Sequence, residues 1–596
     1  NIMSVKDRIG SVKDALKKSR IDAYIISSSD PHQSEYVADH WKTREWVSGF
    51  TGSAGIVVIT PDHAGLWTDS RYFLQAEFEL KGSGMELHKQ LVQGAPEYID
   101  WLAKNLKPES TVAFDGKCFS VSQVESISRS LGGAGIKIDG DVDLADSLWK
   151  DRPALPVNQA YELPLNITGL SRRDKIESIR KEMREQAISN YLITTLDDLA
   201  WVFNIRSNDV EYNPVCIAYA IIGKDQTNLF VDQKKIDASL TARFQSEKIN
   251  IQPYDKIVPF IKTLEEKDKL WMDSSTVSYW IANQLTADQK YFDRNIPKLQ
   301  KAIKNPVECK NLRNAMIQDG VSLTKVFMWL DKKLDKRTVT EVELAEKIIE
   351  FRSEHQDYVG ESFAAIVGYA ANGAIIHYHP TSEHCAEIKK EGILLVDCGA
   401  QYKTGTTDIT RTIALSKPSK HEKMQYTMVL RGHINLAKAK FVQGTKGIQL
   451  DILARLPLWQ HGLNYGHGTG HGVGFFLNVH EPPQGFIAGL GERGTTIIEA
   501  GMLTSNEPGF YLEGSHGIRI ENLVLAEENE TTAFGKFLSF ETVSLFPIQT
   551  RLIESKLMND EEKKWFNKYH DLVYKSLAPH LNYHEIKWLK KQCAHI

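Results

Sequence analysis

At 596 residues the chain exceeds what one hydrophobic core supports, and roughly three or four domains are expected. Hydrophobic residues make up 42% and charged residues 25%, the composition of an ordinary globular protein. The net charge of −4 leaves no global field to recruit nucleic acid or an anionic membrane, and the longest apolar runs, such as residues 217–222, are too short to span a bilayer.

Lys6, Asp7, Arg8, Lys13 and Asp14 interrupt any secretory apolar segment near the N-terminus. The six cysteines are scattered without a Cys-x-x-Cys pair, which suits reduced thiols in a cytoplasm.

In chain order, residues 5–19 have helical spacing, and residues 23–27 and 55–60 read as short buried strands of an α/β domain. Two prolines between Arg152 and Asn158 mark a linker. Residues 173–186 form a charged amphipathic helix that feeds a strand at 190–194, which echoes 22–27. Each strand is followed by turn-rich residues and then a Trp-Val pair, Trp46-Val47 and Trp201-Val202, so a diverged duplication is expected. Asn305-Pro306 sets a second boundary. The expected division is 1–155, 156–305 and 306–596: two related α/β domains followed by an α+β domain. The third domain opens with a long helix over 307–333. A capping-box pattern at Thr340 and Glu343 begins the next helix. Lys- and Trp-rich helices fill residues 550–596.

The chemistry lies in the third domain. Asp397 ends an apolar strand at 393–396, and Asp408 follows 11 residues later, with Gly399 and Gly405 placed for a hairpin or bulge. His471 lies among Gly466, Gly468, Gly470, Gly472 and Gly474, a loop pattern that allows close backbone approach and positive φ. Glu507 precedes Pro508-Gly509. Glu521 sits in an alternating strand, 517–521, on the same face as Arg519. Each of these residues alone reads as a turn residue, a loop or a solvated strand position. Together, four carboxylates beside one imidazole are too much negative charge to bury without cations, and two divalent ions with one hydroxide nearly balance them. Oxygen-rich donors with one imidazole favour hard or borderline ions such as manganese, whereas affinity order alone favours zinc or cobalt. On its strand face Arg519 can hold carboxylates of the metal shell or a proton relay.

The segment 465–474, with Asn478-Val479-His480-Glu481, resembles the metallopeptidases of the pita-bread fold. The resemblance is closest to the long, three-domain aminopeptidase P (Xaa-Pro aminopeptidase) branch, and residues 49–55 and 67–73 share it. It implies two homologous α/β halves around a curved antiparallel sheet in the last domain. It also implies removal of an N-terminal residue ahead of proline, by a hydroxide held between two metals and formed near neutral pH. Carried over, Asp397 and Asp408 hold the second metal. His471, Glu507 and Glu521 hold the first, and Asp408 and Glu521 bridge. His377 and His480 contact the scissile region, stabilise the oxyanion and shuttle protons; His467 lines the proline-side pocket. His379, two residues from His377, would point the same way on a strand. Arg71 reaches substrate. The family is typically manganese-dependent, and a cytoplasmic homodimer acting on peptides with proline at position two is the expected whole.

Three rivals remain. Prolidase shares the metal shell but cuts dipeptides. Methionine aminopeptidase lacks the two leading domains. Inactive binding relatives lose metal ligands, and all five are present here.

Overall fold

The computed structural model describes residues 2–92 and 94–596. These divide into two compact units. The first comprises residues 1–163, 170–211 and 215–297, and the second residues 164–169, 212–214 and 298–596.

The first unit contains two six-stranded sheets of one plan. The first sheet is built from β1 (Ala23–Ile26), β2 (Ile56–Ile59), β3 (Ala64–Thr68), β4 (Glu86–Lys89), β5 (Thr111–Phe114) and β6 (Lys137–Asp139), in the order β4-β3-β2-β1-β5-β6. The second is built from β7 (Asn190–Ile193), β8 (Tyr219–Gly223), β9 (Thr227–Phe230), β10 (Ile249–Gln252), β11 (Leu270–Met272) and β12 (Lys290–Phe292), in the order β10-β9-β8-β7-β11-β12. Each sheet is antiparallel through two inner pairings, one of them a hairpin, and parallel elsewhere. A helix precedes each first strand, α1 (Val5–Ser19) before β1 and α3 (Arg172–Glu185) before β7. The two Trp-Val pairs sit on equivalent helices, α2 (Thr43–Ser48) and α4 (Leu196–Phe203). The duplication read from a faint sequence echo is therefore a repeated topology.

The apolar run of β1 reads as continuous because both of its faces are covered. Tyr24 and Ile26 pack with Ile9, Val12 and Leu16 of α1, whereas Ala23 and Ile25 pack with Val112, Phe114 and Leu102. Ser4 caps α1 with a complete capping box.

The longest helix of the second unit is α5 (Pro306–Leu334), whose cap Asn305 and first-turn Glu308 form a full capping box. Thr340 caps α6 (Glu341–Ser353), but only half of the expected box forms: Glu343 pairs with Arg337 at 2.6 Å instead of reaching back. β13 (Ile366–Tyr369), β14 (Ile393–Cys398) and β15 (Ile409–Ala414) make a three-stranded antiparallel sheet. Between β13 and β14 the chain turns at residues 375–377, so His377 and His379 do not lie on a strand as supposed.

A six-stranded antiparallel sheet follows in the order β16-β23-β22-β19-β17-β18, preceded in sequence by the helix α7 (Lys420–Ala437). Its strands are β16 (Lys440–Val442), β17 (Gly470–Gly472), β18 (Glu481–Phe486), β19 (Leu503–Asn506), β22 (Asn522–Thr532) and β23 (Gly535–Thr542), and the hairpin β20 (Gly509–Leu512) and β21 (His516–Arg519) joins β19 to β22. The pita-bread architecture expected from the resemblance is thus present in the second unit, in addition to the two α/β sheets of the first. The C-terminal helices α8 (Asp560–Leu577) and α9 (Tyr583–Gln592) complete a core with α7, through Phe566, Tyr569, Val573, Leu577 and Leu589 against Met428 and Val429. Among the described residues, no helix is long and apolar enough to cross a membrane.

Candidate metal centre

Three strands bring the first acidic residues together. Asp397 on β14 pairs in register with Thr410 on β15, and Asp408 immediately precedes β15. Thr410 also forms a bridge with Glu521, with backbone bonds of 3.1 and 3.4 Å. The strand expected to carry Glu521 ends two residues earlier, at Arg519, and Glu521 sits at the crossover into β22. Arg411, almost fully buried, fixes that crossover. Its guanidinium donates to the carbonyl of Glu521 (2.8 Å), to Asn522 Oδ1 (2.8 Å) and to the carbonyl of Phe546 (2.7 Å), and also reaches Tyr569 of α8.

His471 comes from the other side, on β17 rather than on the loop its glycines suggested. None of the five glycines around it has positive φ. Four of them, all but Gly466, serve close packing instead: a Cβ on Gly470 would lie 1.7 Å from the Ser505 carbonyl oxygen, and one on Gly472 would lie 2.3 Å from that of Glu481. The strand can enter the sheet at this point only without side chains. Glu507 follows β19 directly, and its backbone N–H donates to the Thr469 carbonyl at 2.8 Å.

The result is one cluster. Ligand atoms of Asp408, His471, Glu507 and Glu521 all lie within 4.8 Å of one another. His471 Nε2 is 3.4 Å from Asp408 Oδ2 and 3.3 Å from Glu507 Oε2. Its Nδ1 pairs with the Gly472 carbonyl at 2.9 Å, which places a proton on Nδ1 and turns Nε2, the atom a metal would take, toward the carboxylates. Asp397 stands beside this group, held by Arg519 at 2.8 and 3.2 Å through its Oδ2 alone. Glu521 Oε1 accepts from Thr410 Oγ1 at 2.8 Å.

The electrostatics are those of a site built for cations. Burial lifts the Asp397 carboxyl to about 7; Arg519 opposes the shift, and Asp408 and Glu507 add to it. Burial also holds Glu521 well above the usual carboxylate range, with Asp408, Glu507 and Asp397 adding. Burial pushes Glu507 upward too, but hydrogen bonding with Glu521 and with His471 outweighs it and keeps that carboxyl well below the usual range. His471 rises to about 10, because its bonds to Asp408 and Glu507 outweigh burial. Without metal, protons on His471 and Glu521 neutralise part of the acid. Two buried oxygens, Asp397 Oδ1 and Glu521 Oε2, have no hydrogen-bond partner. Unsatisfied buried carboxylate oxygens cost several kcal/mol unless a cation meets them. The donor set of oxygens and one imidazole therefore fits a pair of divalent ions.

Around the cluster the expected histidines fall unevenly. The His480 ring lies edge-on to that of His471, 4.5 Å between centroids. His467 Nδ1 pairs with the Gly468 carbonyl, so its Nε2 accepts from Tyr511 Oη at 2.7 Å. Tyr511 Oη in turn accepts from Arg519 Nη1 at 2.8 Å. A continuous chain, His467–Tyr511–Arg519–Asp397, thus reaches the acidic cluster. Burial lowers His467 to about 4, which keeps it a neutral acceptor. Sequence reasoning missed Tyr511; its position on β20, in a hairpin with Arg519, was the available signal. His377 follows the turn Ala370–Ala374, which packs on β21 so tightly that a Cβ on Gly517 would lie 1.7 Å from the Gly373 carbonyl oxygen. His379 is a separate, inward-facing ring whose burial lowers its pKa. Arg71 belongs to the first unit, where it forms a bidentate pair with Asp69 at 2.7 and 2.8 Å.

Comparison with known proteins agrees with this geometry. Residues 310–528 match the profile of metallopeptidase family M24, and 536–596 match its C-terminal region. Residues 8–144 and 151–308 each match a creatinase/prolidase N-terminal domain. A probable Xaa-Pro aminopeptidase P of Laccaria bicolor is 39% identical over 99% of this chain and 94% of its own length. Aminopeptidase P2 of Arabidopsis thaliana is 39% identical over 94% of this chain and 84% of its own. The crystal structure of X-prolyl aminopeptidase from Caenorhabditis elegans, described as a cytosolic enzyme with a di-nuclear active site, superposes with a TM-score of 0.95 at 33% identity over the whole of both chains.

Proposed function

This chain belongs to the Xaa-Pro aminopeptidase P family of M24 metallopeptidases, and from that premise we propose that it removes the N-terminal residue from peptides whose second residue is proline. The observation that carries the reading is the convergence of Asp408, His471, Glu507 and Glu521 with orphaned oxygens on Asp397 and Glu521.

We propose that Asp397 and Asp408 would hold one cation and His471, Glu507 and Glu521 the other, with Asp408 and Glu521 shared between the two. When bound, such a pair supplies Lewis acidity, making a water nucleophile available near neutral pH and polarising the scissile carbonyl. Oxygen-rich donors with a single imidazole favour manganese among the candidates, ahead of zinc or cobalt.

The chain's own residues do the rest. Arg519 occupies only one oxygen of Asp397, which leaves Oδ1 free for the cation and fixes its direction. His480 would stabilise negative charge on the carbonyl oxygen, and its edge-on packing against His471 supports that role. His377 moves a proton toward the departing proline nitrogen, and His467, neutral and anchored by Tyr511, borders the proline ring. Arg71, held by Asp69, contacts the peptide beyond the cut. An amide before proline has no N–H and a fixed φ, so a site for it must hold the ring by shape rather than ask for the missing donor.

We divide the chain at 1–155, 156–305 and 306–596, with the repeated sheets as support, and place it in the cytoplasm as a homodimer, the location being the one described for the C. elegans relative. Turnover of an X-Pro-Y tripeptide against the X-Pro dipeptide tests the reading. Release of X from the tripeptide, with little cleavage of the dipeptide, is expected; a preference for the dipeptide would make the enzyme a prolidase.

A further inference from the structure

The first unit holds another convergence of ligand-type side chains, remote in sequence from the acidic cluster. We propose that His63, Glu86 and His88 bind a single zinc-class divalent ion through two imidazoles and one carboxylate, with water completing the shell. One ligand atom from each of the three lies within 4.8 Å of the other two. His63 Nε2 and His88 Nε2 face each other at 2.9 Å, and His63 Nδ1 lies 3.6 Å from Glu86 Oε2.

The backbone is built to hold them there. β4 is the edge strand of its sheet, and the two-residue period of a strand puts Glu86 and His88 on one face. His63 sits in the tight turn between β2 and β3, where Thr60 Oγ1 accepts from the backbone N–H groups of Asp62 and His63, and the Thr60 N–H donates to the His63 carbonyl at 2.8 Å. Both rings are braced. His88 stacks on the buried Trp67 at 3.8 Å with planes 7° apart, and His63 stacks on Trp101 at 4.8 Å. Gly65 clears the space, since a Cβ there would lie 2.9 Å from His88 Nε2.

Two neutral imidazoles facing through Nε2 share only one proton, so one nitrogen's lone pair serves merely as acceptor for the other. A cation uses both. Bonds of about 2.0–2.1 Å at tetrahedral angles separate two ligand nitrogens by about 3.3 Å. Opening the pair by a few tenths of an ångström reaches that spacing. Burial lowers the pKa of both histidines, which keeps their lone pairs available at neutral pH. Two imidazoles with one carboxylate select zinc, nickel or copper over the harder manganese, magnesium or calcium. The two units would therefore sort ions by donor type, and an ion here would clamp the β2–β3 turn to the sheet edge.

The test is equilibrium dialysis of the whole protein against micromolar zinc, with metal content measured per chain. Wild-type protein should hold one zinc more than the H63A/H88A variant. The Glu86 side chain is 65% exposed, so E86Q leaves the fold intact; it should keep the site but weaken it about tenfold or more, the scale on which even supporting groups change metal affinity. Because each comparison is a difference between variants of the first unit, it holds whatever the acidic cluster binds. Equal zinc content in wild type and H63A/H88A would reduce the pair to a histidine–histidine hydrogen bond and overturn the proposal. Should the double variant not fold, an E86Q protein with unchanged zinc affinity would overturn the three-ligand site.

Discussion

Stripping the cations from the second unit should leave a cluster whose stability falls as pH rises. Without metal, Asp408 and Glu507 hold the His471 proton up to about pH 10, whereas an unfolded histidine loses it near 6.5. A folded-state pKa raised above the unfolded value gives stability that is complete below the unfolded pKa and is lost as pH climbs toward the folded one. Each proton retained only by the folded chain lowers stability by about 1.4 kcal/mol per pH unit across that window. His471 is 16% exposed, so solvent screens this little, and from pH 7 to 9 the loss is about 3 kcal/mol. Asp397, raised to about 7, has lost most of its share by the start of that window, and Glu521, also raised, adds a loss of the same sign. Glu507 is depressed, so its contribution disappears only in strong acid and does not offset the loss. In the loaded protein cations replace the protons and the dependence vanishes. At roughly 1.5 °C per kcal/mol for a unit of about 300 residues, the His471 share alone should widen the gap between the melting temperatures of manganese-loaded and chelator-stripped protein by roughly 4–5 °C between pH 7 and pH 9. Titrations elsewhere in the chain are common to both forms and cancel in the gap. Parallel pH profiles for the two forms would refute the reasoning.

Arg519→Lys replaces a planar fork by a point charge and cannot hold Asp397 and Tyr511 at once; metal affinity or kcat should fall roughly 10–100-fold, read by chelator competition and peptide turnover. Gly470→Ala drives a methyl into the Ser505 carbonyl, so β17 must shift; soluble protein should melt lower and lose bound metal, and normal melting with full metal content would contradict the packing role of that glycine. Arg71→Ala should slow hydrolysis of longer peptides more than short ones while metal content stays constant; identical kinetics at every length would leave Arg71 a structural partner of Asp69.

Much of this was legible before any coordinates. The Trp46-Val47 and Trp201-Val202 pairs marked equivalent helices because a duplicated fold keeps its bulky core positions longest. Asp397, Asp408, His471, Glu507 and Glu521 were legible as a set, since buried like charges have few explanations besides cations. Other features depended on long-range packing that local pattern does not carry. The glycines flanking His471 resembled a loop, yet they line a strand whose neighbours leave no room for a Cβ. Tyr511 carries no local motif: its hairpin brings it to Arg519, and only the fold joins it to His467, 44 residues away. Arg411, in the same motif as Asp408, drew no attention, because its partners at 521, 522, 546 and 569 all come from later elements. The helices of 550–596 gave no functional signal because they supply core and, through Tyr569, a brace for Arg411.

Whether two adjacent cations occupy the acidic cluster is best tested by crystals of manganese-loaded protein measured at the manganese absorption edge, with Asp408→Asn protein alongside. Two anomalous peaks are predicted in the wild type, both within coordinating distance of Asp408 and Glu521, one also against His471 and Glu507 and the other against Asp397. The Asp408→Asn crystals should show one or both peaks weakened, and that protein should be inactive. A wild-type map with no peak there, or with Asp408 and Glu521 turned away from any ion, would contradict the account.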